Sequence, residues 1–597
     1  MRLLLSFALV LTACGDKEPQ DADGDGLLAA EDCDDGDPAV GGEEAPYDGV
    51  DNDCDGSTLD DDLDGDGFAL AEDCDDGDPA VGGGEIPFDG LDNDCDSSTS
   101  DDDGDGDGFI AAEDCDDQNP AGWLPPDELA GDLDWEFEEF CAGYCERSLG
   151  GTLWLSYANT LDVASLDCLT AVGGDLRIYN NTTLRGGLAL ERLTAVGGDL
   201  FISDNARRSL AGLEGLTTVG GDITIDDNRA LASLAGLKGL TTVGGGVTLA
   251  DNPALSSLSG LEALTSVGDT LDLRNNDALT SLAGLAGLLT VGDQLRIWDN
   301  DTLTSLDGLQ GLSSVGGPLN INTNVSLQSV SALSGLGPVG GYLSIDDNPA
   351  LTSLSGLEGV SSVGGDLSLE RNDSLTSLSG LDGLSSVGGT LRIGGNDALL
   401  SLSGLGALSS VGGEVNVNFN DGLTNLSGLD ALSSVGGTCS VLYNDGLTSL
   451  SGLERLSFVG GTLSVRDNPA LTSLSGLSGV AAVGLLDVYN NDALTSIAGL
   501  SALTSVEVDL TIHANDALTS LSGLDHLSVV GRDVNIYYNA GLTSLAALEA
   551  LTSVGRNLEI THNDNLCEDE VDALVAQLTT FGGKVTSTDN TGSCPSE

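Results

Sequence analysis

Positive charge is scarce in this sequence: 19 Lys and Arg stand against 97 Asp and Glu among 597 residues, a formal net charge of -78. Such a chain repels nucleic-acid phosphates and has no basic stripe to displace their counterions, so we expect no nucleic-acid partner. Aromatic residues make up only 4% while Gly numbers 84, which favours internal repetition over a set of ordinary compact domains. The only His residues are the isolated His513, His526 and His562, and with so few groups that titrate near neutral pH we predict that the protein is not an enzyme.

Long apolar runs are also lacking, because no segment reaches the 18 consecutive apolar residues of a candidate membrane-spanning helix. The short apolar run 3–11 behind Arg2 is typical of an export signal. The sequence Leu-Thr-Ala-Cys at 11–14 resembles the lipobox of bacterial lipoproteins. This resemblance implies a signal peptide at 1–13, lipidation of Cys14, a tether at 14–20 and attachment to a membrane through the lipid. Gly15 stands where an inner-membrane retention signal has Asp, so the resemblance implies an outer-membrane protein at the cell surface. An ordinary secretory signal with Cys14 free is the alternative.

Residues 21–120 carry an acidic motif, Asp-x-Asp-Gly-Asp-Gly-x5-Asp, that recurs at 41-residue intervals. Ca²⁺ takes six to eight oxygen ligands, and alternate carboxylates on a loop that turns at Gly converge on one point. We therefore predict calcium sites, with backbone carbonyls contributed by Leu27, Phe68 and Phe109. The predicted carboxylate ligands are Asp21, Asp23, Asp25, Asp32, Asp62, Asp64, Asp66, Asp73, Asp103, Asp105, Asp107 and Asp114.

Further acidic motifs accompany these loops: Asp-Cys-Asp-Asp at 32–35, 73–76 and 114–117, and Asp-Gly-x-Asp-Asn-Asp-Cys-Asp at 48–55 and 89–96. Together they resemble the metal-binding repeats of bacterial surface proteins and, more distantly, thrombospondin type 3 repeats. The resemblance implies calcium as the cofactor and little regular secondary structure. A disordered acidic spacer is the alternative that composition alone predicts.

The 12 Cys of an exported chain predict disulfide bonds. With Cys14 set aside, the spacing suggests five pairs, although sequence alone does not determine connectivity. The suggested pairs are Cys33–Cys54, Cys74–Cys95, Cys115–Cys141, Cys145–Cys168 and Cys567–Cys594. Cys439 remains, at an inward position of the repeat described next, and is predicted to be a buried apolar residue.

A second repeat, of 24 residues, occupies 146–565 and has the core Val-Gly-Gly-x-Leu-x-Ile-x-x-Asn. Its marker Asn recurs 17 times between Asn181 and Asn563. This period predicts a mainly β solenoid of about 17–18 coils, with the Leu and Ile positions inward and the residues two and four before each Asn outward.

The pattern resembles the receptor L domain, a relative of the leucine-rich repeats, which implies the same solenoid fold and a general capacity for recognition. Residues 121–145 are predicted to form a linker and N-terminal cap, containing Cys141 and Cys145. Residues 566–597 are predicted to form a C-terminal cap with an amphipathic helix, because Val571, Leu574, Val575 and Leu578 share one helical face.

Two groups of outward residues depart from the usual Ser, Thr, Asp and Asn. One is Arg274, Arg296 and Trp298; the other is Arg466, Tyr489, His513 and Tyr537, with one residue on each coil. Such side chains could stack against a glycan or hold a protein ligand. The interpretation that we favour is that the ladder stabilises neighbouring strands and binds nothing. Arg177, Tyr179 and Phe201 form a weaker third group.

These patterns predict a surface lipoprotein whose calcium-binding stalk presents a solenoid for recognition or adhesion. Two alternatives remain: a structural envelope component without a specific ligand, and a metal-sequestering protein.

Overall fold

The computed structural model describes residues 127–133, 140–141, 146–157, 165–182 and 188–594. Over these residues the chain is a parallel β-solenoid of about 18 turns spaced about 24 residues apart. This confirms the predicted fold class. The predicted calcium ligands lie outside the described residues, as do Cys14, Cys33, Cys54, Cys74, Cys95, Cys115 and Cys145. Within the described ranges, no helix has the length and apolar character that crossing a membrane requires.

The turns stack as two columns of strands. The first column, here called the strand face, contains β3 (Leu153–Ser156), β5 (Leu176–Tyr179), β7 (Leu200–Ser203), β9 (Ile223–Asp226), β11 (Val247–Ala250), β13 (Leu271–Arg274), β15 (Leu295–Trp298), β17 (Leu319–Asn322), β18 (Leu343–Ser344), β20 (Leu367–Glu370), β22 (Leu391–Gly394), β24 (Val415–Asn418), β26 (Cys439–Leu442), β30 (Leu510–His513), β32 (Val534–Tyr537), β34 (Leu558–Thr561) and β36 (Val585–Thr588).

The second column consists mostly of two-residue strands. It contains β1 (Asp127–Leu129), β2 (Arg147–Leu149), β4 (Leu169–Val172), β6 (Ala195–Val196), β8 (Thr218–Val219), β10 (Thr242–Val243), β12 (Ser266–Val267), β14 (Thr290–Val291), β16 (Ser314–Val315), β19 (Ser362–Val363), β21 (Ser386–Val387), β23 (Ser410–Val411), β25 (Ser434–Val435), β29 (Ser505–Val506), β31 (Val529–Val530), β33 (Ser553–Val554) and β35 (Thr580–Phe581). Two longer strands, β27 (Phe458–Arg466) and β28 (Ala482–Tyr489), pair with neighbours in both columns.

Equivalent residues of successive repeats pair in register. In β13 and β15, Leu271 pairs with Leu295 and Leu273 with Ile297, and all four side chains are fully buried. Because side chains alternate across a strand, the intervening positions face outward, as the sequence predicts. The core is therefore a stack of Leu, Ile and Val layers.

The marker Asn residues form a buried ladder between turns. Asn420, for example, is fully buried and donates from its side-chain amide to the carbonyls of Ile393 (3.0 Å) and Asn418 (2.9 Å). Its Oδ1 accepts a bond from the backbone N–H of Asn396 at 3.2 Å. The residue before each Asn is left-handed, as at Phe419 and Tyr443, both with φ +54°. We call these positions the turn column.

Both ends of the solenoid contain disulfide-bonded cysteines. At the C-terminal end, helix α1 (Glu568–Gln577) buries Val571 and Leu574, and the predicted Cys567–Cys594 bond is present. After α1 the chain adds β35, β36 and another ladder residue, Asn590, which bonds Asn563. At the other end, Cys168 is disulfide-bonded, and its predicted pairing with Cys145 stays a prediction. Cys141, which does not belong to the solenoid unit, is also disulfide-bonded, and its predicted pairing with Cys115 stays a prediction.

Cys439 lies in the core, as expected. It is fully buried and unbonded, and it pairs in register with Val415 and Leu463 of the adjacent turns. Burial raises the pKa of its thiol to about 12, because desolvation penalises the thiolate. It therefore acts as a small apolar core residue.

Candidate functional site

The outward positions of the strand face bring Arg466, Tyr489, His513 and Tyr537 into one line across four adjacent strands. We call this line the aromatic ladder. The ring centroids of Tyr489 and His513 are 4.7 Å apart, and those of His513 and Tyr537 are 4.1 Å apart. The Arg466 guanidinium lies 5.9 Å from the Tyr489 centroid. All four residues that the sequence grouped are therefore neighbours in space.

The rings of the ladder stack on one another along the solenoid. The planes of Tyr489 and His513 differ by 18°, and those of His513 and Tyr537 by 33°. Each ring thus covers much of the face of the next, and mainly ring edges remain for a ligand. The contacts stabilise neighbouring strands, which is the interpretation that we favour from the sequence.

Ionisable groups around the ladder are held by local contacts. Arg466 forms an ion pair with Asp487, whose side chain is nearly buried. Burial lowers the pKa of His513, and the nearby Asp487 carboxylate opposes this change only in part. Burial also raises the pKa of Tyr537. His513 is therefore held in its neutral form to lower pH than a free histidine.

The turn column adds rings that the sequence reasoning missed. Phe419 and Tyr443 stack with centroids 4.9 Å apart and planes only 4° apart, and Tyr538 stacks on His562 at 4.5 Å. Tyr538 also lies 5.7 Å from His513. These four residues and the aromatic ladder make up what we call the aromatic strip. These four residues could have been identified from the sequence, because each directly precedes a marker Asn.

The second predicted group is organised by a carboxylate. Asp272, only 6% exposed, accepts from Arg274 at 3.0 Å and lies 3.5 Å from Arg296. Burial raises the pKa of Asp272, and the two guanidinium charges oppose that rise. Trp298 is 40% exposed and donates from Nε1 to the Thr323 hydroxyl at 3.0 Å. Two guanidinium groups therefore share one nearly buried carboxylate on turns that include the exposed Trp298 indole, several turns away from the aromatic ladder.

The third group lies near the N-terminal end. The Arg177 guanidinium is 5.2 Å from the Trp154 ring centroid and 5.9 Å from that of Phe201, and it pairs with Asp175 at 2.8 Å. Tyr179 meets Trp154 and Phe201 edge to face. A backbone N–H of Asp199 and the guanidinium of Arg177 together lower the pKa of Asp175. Arg177 is thus held between rings and a carboxylate.

One set of metal-type side chains comes together in the described part of the chain: Cys567, Asp569 and Cys594. Both cysteines form the disulfide bond, so their sulfurs are not available as thiolate ligands. The predicted calcium ligands all precede residue 127 and are not among the described residues.

Comparison with known proteins finds likenesses among solved structures. An internalin (inlF) from Listeria monocytogenes is 17% identical with a TM-score of 0.30, over 55% of this chain and 88% of the internalin. A leucine-rich cell surface protein from Faecalibacterium prausnitzii is 12% identical with a TM-score of 0.12, over 70% of this chain and 83% of that protein. No family model matches the sequence, and no curated protein matches it. The 24-residue turns and parallel register themselves define the fold class as a leucine-rich parallel β-solenoid.

Proposed function

We propose that this chain is a cell-surface lipoprotein whose solenoid recognises or adheres to a ligand. In this proposal, lipid on Cys14 anchors the chain in the outer membrane, and the acidic repeats at 21–120 bind calcium and form a stalk. The solenoid is the recognition module.

The observation that carries the proposal is the contrast between the inward and the outward side chains of the strand face. Inward positions repeat Leu, Ile or Val, whereas the outward residues differ from turn to turn. Asp272 lies opposite Arg296, for example, and Arg392 lies opposite Asn416. Outward side chains on a stacked sheet can vary without disturbing the core, since they contribute little to its packing. A rigid backbone with variable outward chemistry is the arrangement that a recognition surface requires.

The net charge of the chain restricts the class of ligand that it can bind. A chain of net charge -78 repels polyanions over the range of its electrostatic field. The aromatic strip also offers ring edges and polar tips, and its residues Tyr443 and Tyr538 are both well exposed. These features favour a ligand that is uncharged or carries positive charge.

Calcium has a clear physical role in the proposed stalk. Densely spaced carboxylates repel one another, and a bound divalent cation both neutralises them and fixes the loop that supplies its ligands. Extracellular calcium modules of this general kind bind with dissociation constants of roughly 10⁻⁴ to 10⁻³ M. Sites of this class fill where free calcium reaches the upper part of that range.

Binding of the purified full chain to arrays of envelope and matrix glycans and proteins, with calcium present, tests this function. We expect saturable binding to at least one component. A variant with Tyr489→Ala, His513→Ala and Tyr537→Ala tests whether the ligand lies on the aromatic ladder. A matched control with Thr224→Ala, Thr248→Ala and Asn416→Ala changes outward polar residues elsewhere on the strand face. Absence of saturable binding by the unaltered chain would contradict recognition and favour a structural role.

Surface display is tested separately on intact cells. Protease added outside should degrade the solenoid in cells with an unbroken outer membrane, and Cys14→Ser should release the chain from the membrane fraction. Full protection from the protease would contradict display at the surface.

A further inference from the structure

The turn at 325–348 interrupts the regular solenoid near its middle. Pro338 occupies the position that Ser314 and Ser362 hold in the neighbouring turns. Proline has no backbone N–H and cannot complete a strand ladder. In the second column, Val339 accordingly keeps only an isolated bridge to Val363. On the strand face of the same turn, β18 has two residues where its neighbours β17 and β20 have four.

Side chains replace part of the missing strand pairing. Asp346 is only 8% exposed; its backbone N–H donates to Asn322 Oδ1 at 2.9 Å, and its Oδ1 accepts from the N–H of Glu370 at 2.7 Å. The hydroxyls of Ser344 and Ser368 donate to its two carboxylate oxygens at 2.6 and 3.0 Å. Asp346 is thus hydrogen-bonded through both carboxylate oxygens and forms a polar floor between turns.

An open cleft of about 550 Å³ lies over this floor. We call it the central cleft; its walls include Tyr342, Asp366, Glu370 and Arg392. Its size falls within the roughly 300–1,000 Å³ typical of small-ligand sites. A guanidinium and several carboxylates line this one cavity together with Tyr342.

The polar groups of the walls keep unused bonding capacity. The Tyr342 hydroxyl accepts a bond at 3.0 Å from Gln294 Nε2, two turns toward the N-terminus, so it is directed away from Asp366 and Arg392 and only the rest of Tyr342 lines the cleft. Arg392 uses Nη1 on Asp366 at 2.7 Å, and a guanidinium carries five N–H donors. The Glu370 carboxylate lies 3.4 Å from Arg371, a long contact that leaves acceptor positions open. The cleft therefore presents both an open donor group and an open acceptor group.

We propose that the central cleft binds a neutral carbohydrate through its hydroxyl groups. The ligand must both accept from Arg392 and donate to Glu370, and each sugar hydroxyl does both. The carboxylates outnumber the guanidinium and disfavour a phosphate or uronate. The Arg392 guanidinium beside these carboxylates disfavours a bare metal ion. The inference rests on the proposed recognition function and names its ligand class.

Titration calorimetry of the full chain, with calcium present, tests this site. The probes are neutral oligosaccharides of glucose, mannose and galactose, with oligogalacturonate as the charged comparison. Arg392→Gln removes the guanidinium of the wall, and Glu370→Gln removes the carboxylate with almost no change of shape. We expect each to weaken binding of a neutral oligosaccharide about tenfold, since a bond to a buried or charged partner contributes on the order of that factor. Arg556→Gln and Glu559→Gln, on another turn, are the matched controls and should bind like the unaltered chain.

Three results would overturn the proposal: equal binding by the wall variants, preference for oligogalacturonate, or no binding of any neutral probe. If the arrays identify a protein ligand while these titrations show no sugar binding, the carbohydrate inference fails and the recognition function stands. Circular dichroism of both wall variants confirms that the solenoid is folded in each comparison.

Discussion

Replacing a ladder asparagine by alanine should destabilise the solenoid locally and strongly. In Asn420→Ala, the backbone N–H of Asn396 loses its partner at 3.2 Å inside the core. The carbonyls of Ile393 and Asn418 lose bonds of 3.0 and 2.9 Å. An unpaired buried donor costs about 1–3 kcal/mol and each lost hydrogen bond about 0.5–1.5 kcal/mol. The expected total is about 4 kcal/mol.

Hydrogen exchange is the suitable assay, because a stacked-repeat protein can open around one weakened turn. The amides of β22 and β24 should exchange faster in Asn420→Ala, and the urea midpoint should fall. The matched control is Asn416→Ala, which changes an outward asparagine on the same strand whose amide makes a contact of 3.4 Å to Glu414. We expect the control to cost less than about 0.5 kcal/mol. Equal effects of the two substitutions would refute the claim that the buried ladder holds adjacent turns together.

Three further predictions concern titration, the core thiol and metal. Burial lowers the pKa of His513 below its ordinary value of 6.5, so the unfolded chain binds a proton in the window below 6.5 that the folded chain does not. Stability should therefore fall as pH drops through that window, and His513→Gln should flatten this part of a stability-against-pH curve; identical curves would contradict the assignment. Cys439, with its pKa raised to about 12 by burial, should resist iodoacetamide at pH 8 in the native chain and react in denaturant, as read by mass spectrometry of its peptide; modification of the native chain would contradict its burial. Removal of calcium with EDTA should increase exchange and proteolysis over 21–120 but leave the solenoid folded, because the apolar layers and the Asn ladder need no metal; a single cooperative loss of all structure would disprove this independence.

The fold could be predicted from the sequence because one short pattern recurs with little change. The 24-residue period determines one turn per repeat, and Leu or Ile at alternate positions determines which side of each strand faces the core. The burial of Cys439 follows from the same alignment, since it replaces a Leu in that pattern. The acidic first turn and apolar face of α1 likewise predicted the C-terminal helix.

The candidate site could be predicted only in part. Strand alternation identified the aromatic ladder but says nothing of the turn column, where a left-handed backbone at Phe419 and Tyr443 redirects the side chain. The central cleft depends on contacts between separate turns, such as Asp346 with Glu370, that no local pattern encodes. Its one sequence signal is Pro338 in place of a strand serine.

The central claim is that the strand face of the solenoid is a recognition surface. Hydrogen exchange of the full chain, measured alone and with a saturating ligand selected on the arrays, tests this claim most directly. The account predicts slowed exchange in strands of the strand face, centred on 342–370 and Arg392 when the ligand is a neutral oligosaccharide. Protection confined to residues outside the solenoid, or no protection at saturation, would contradict it.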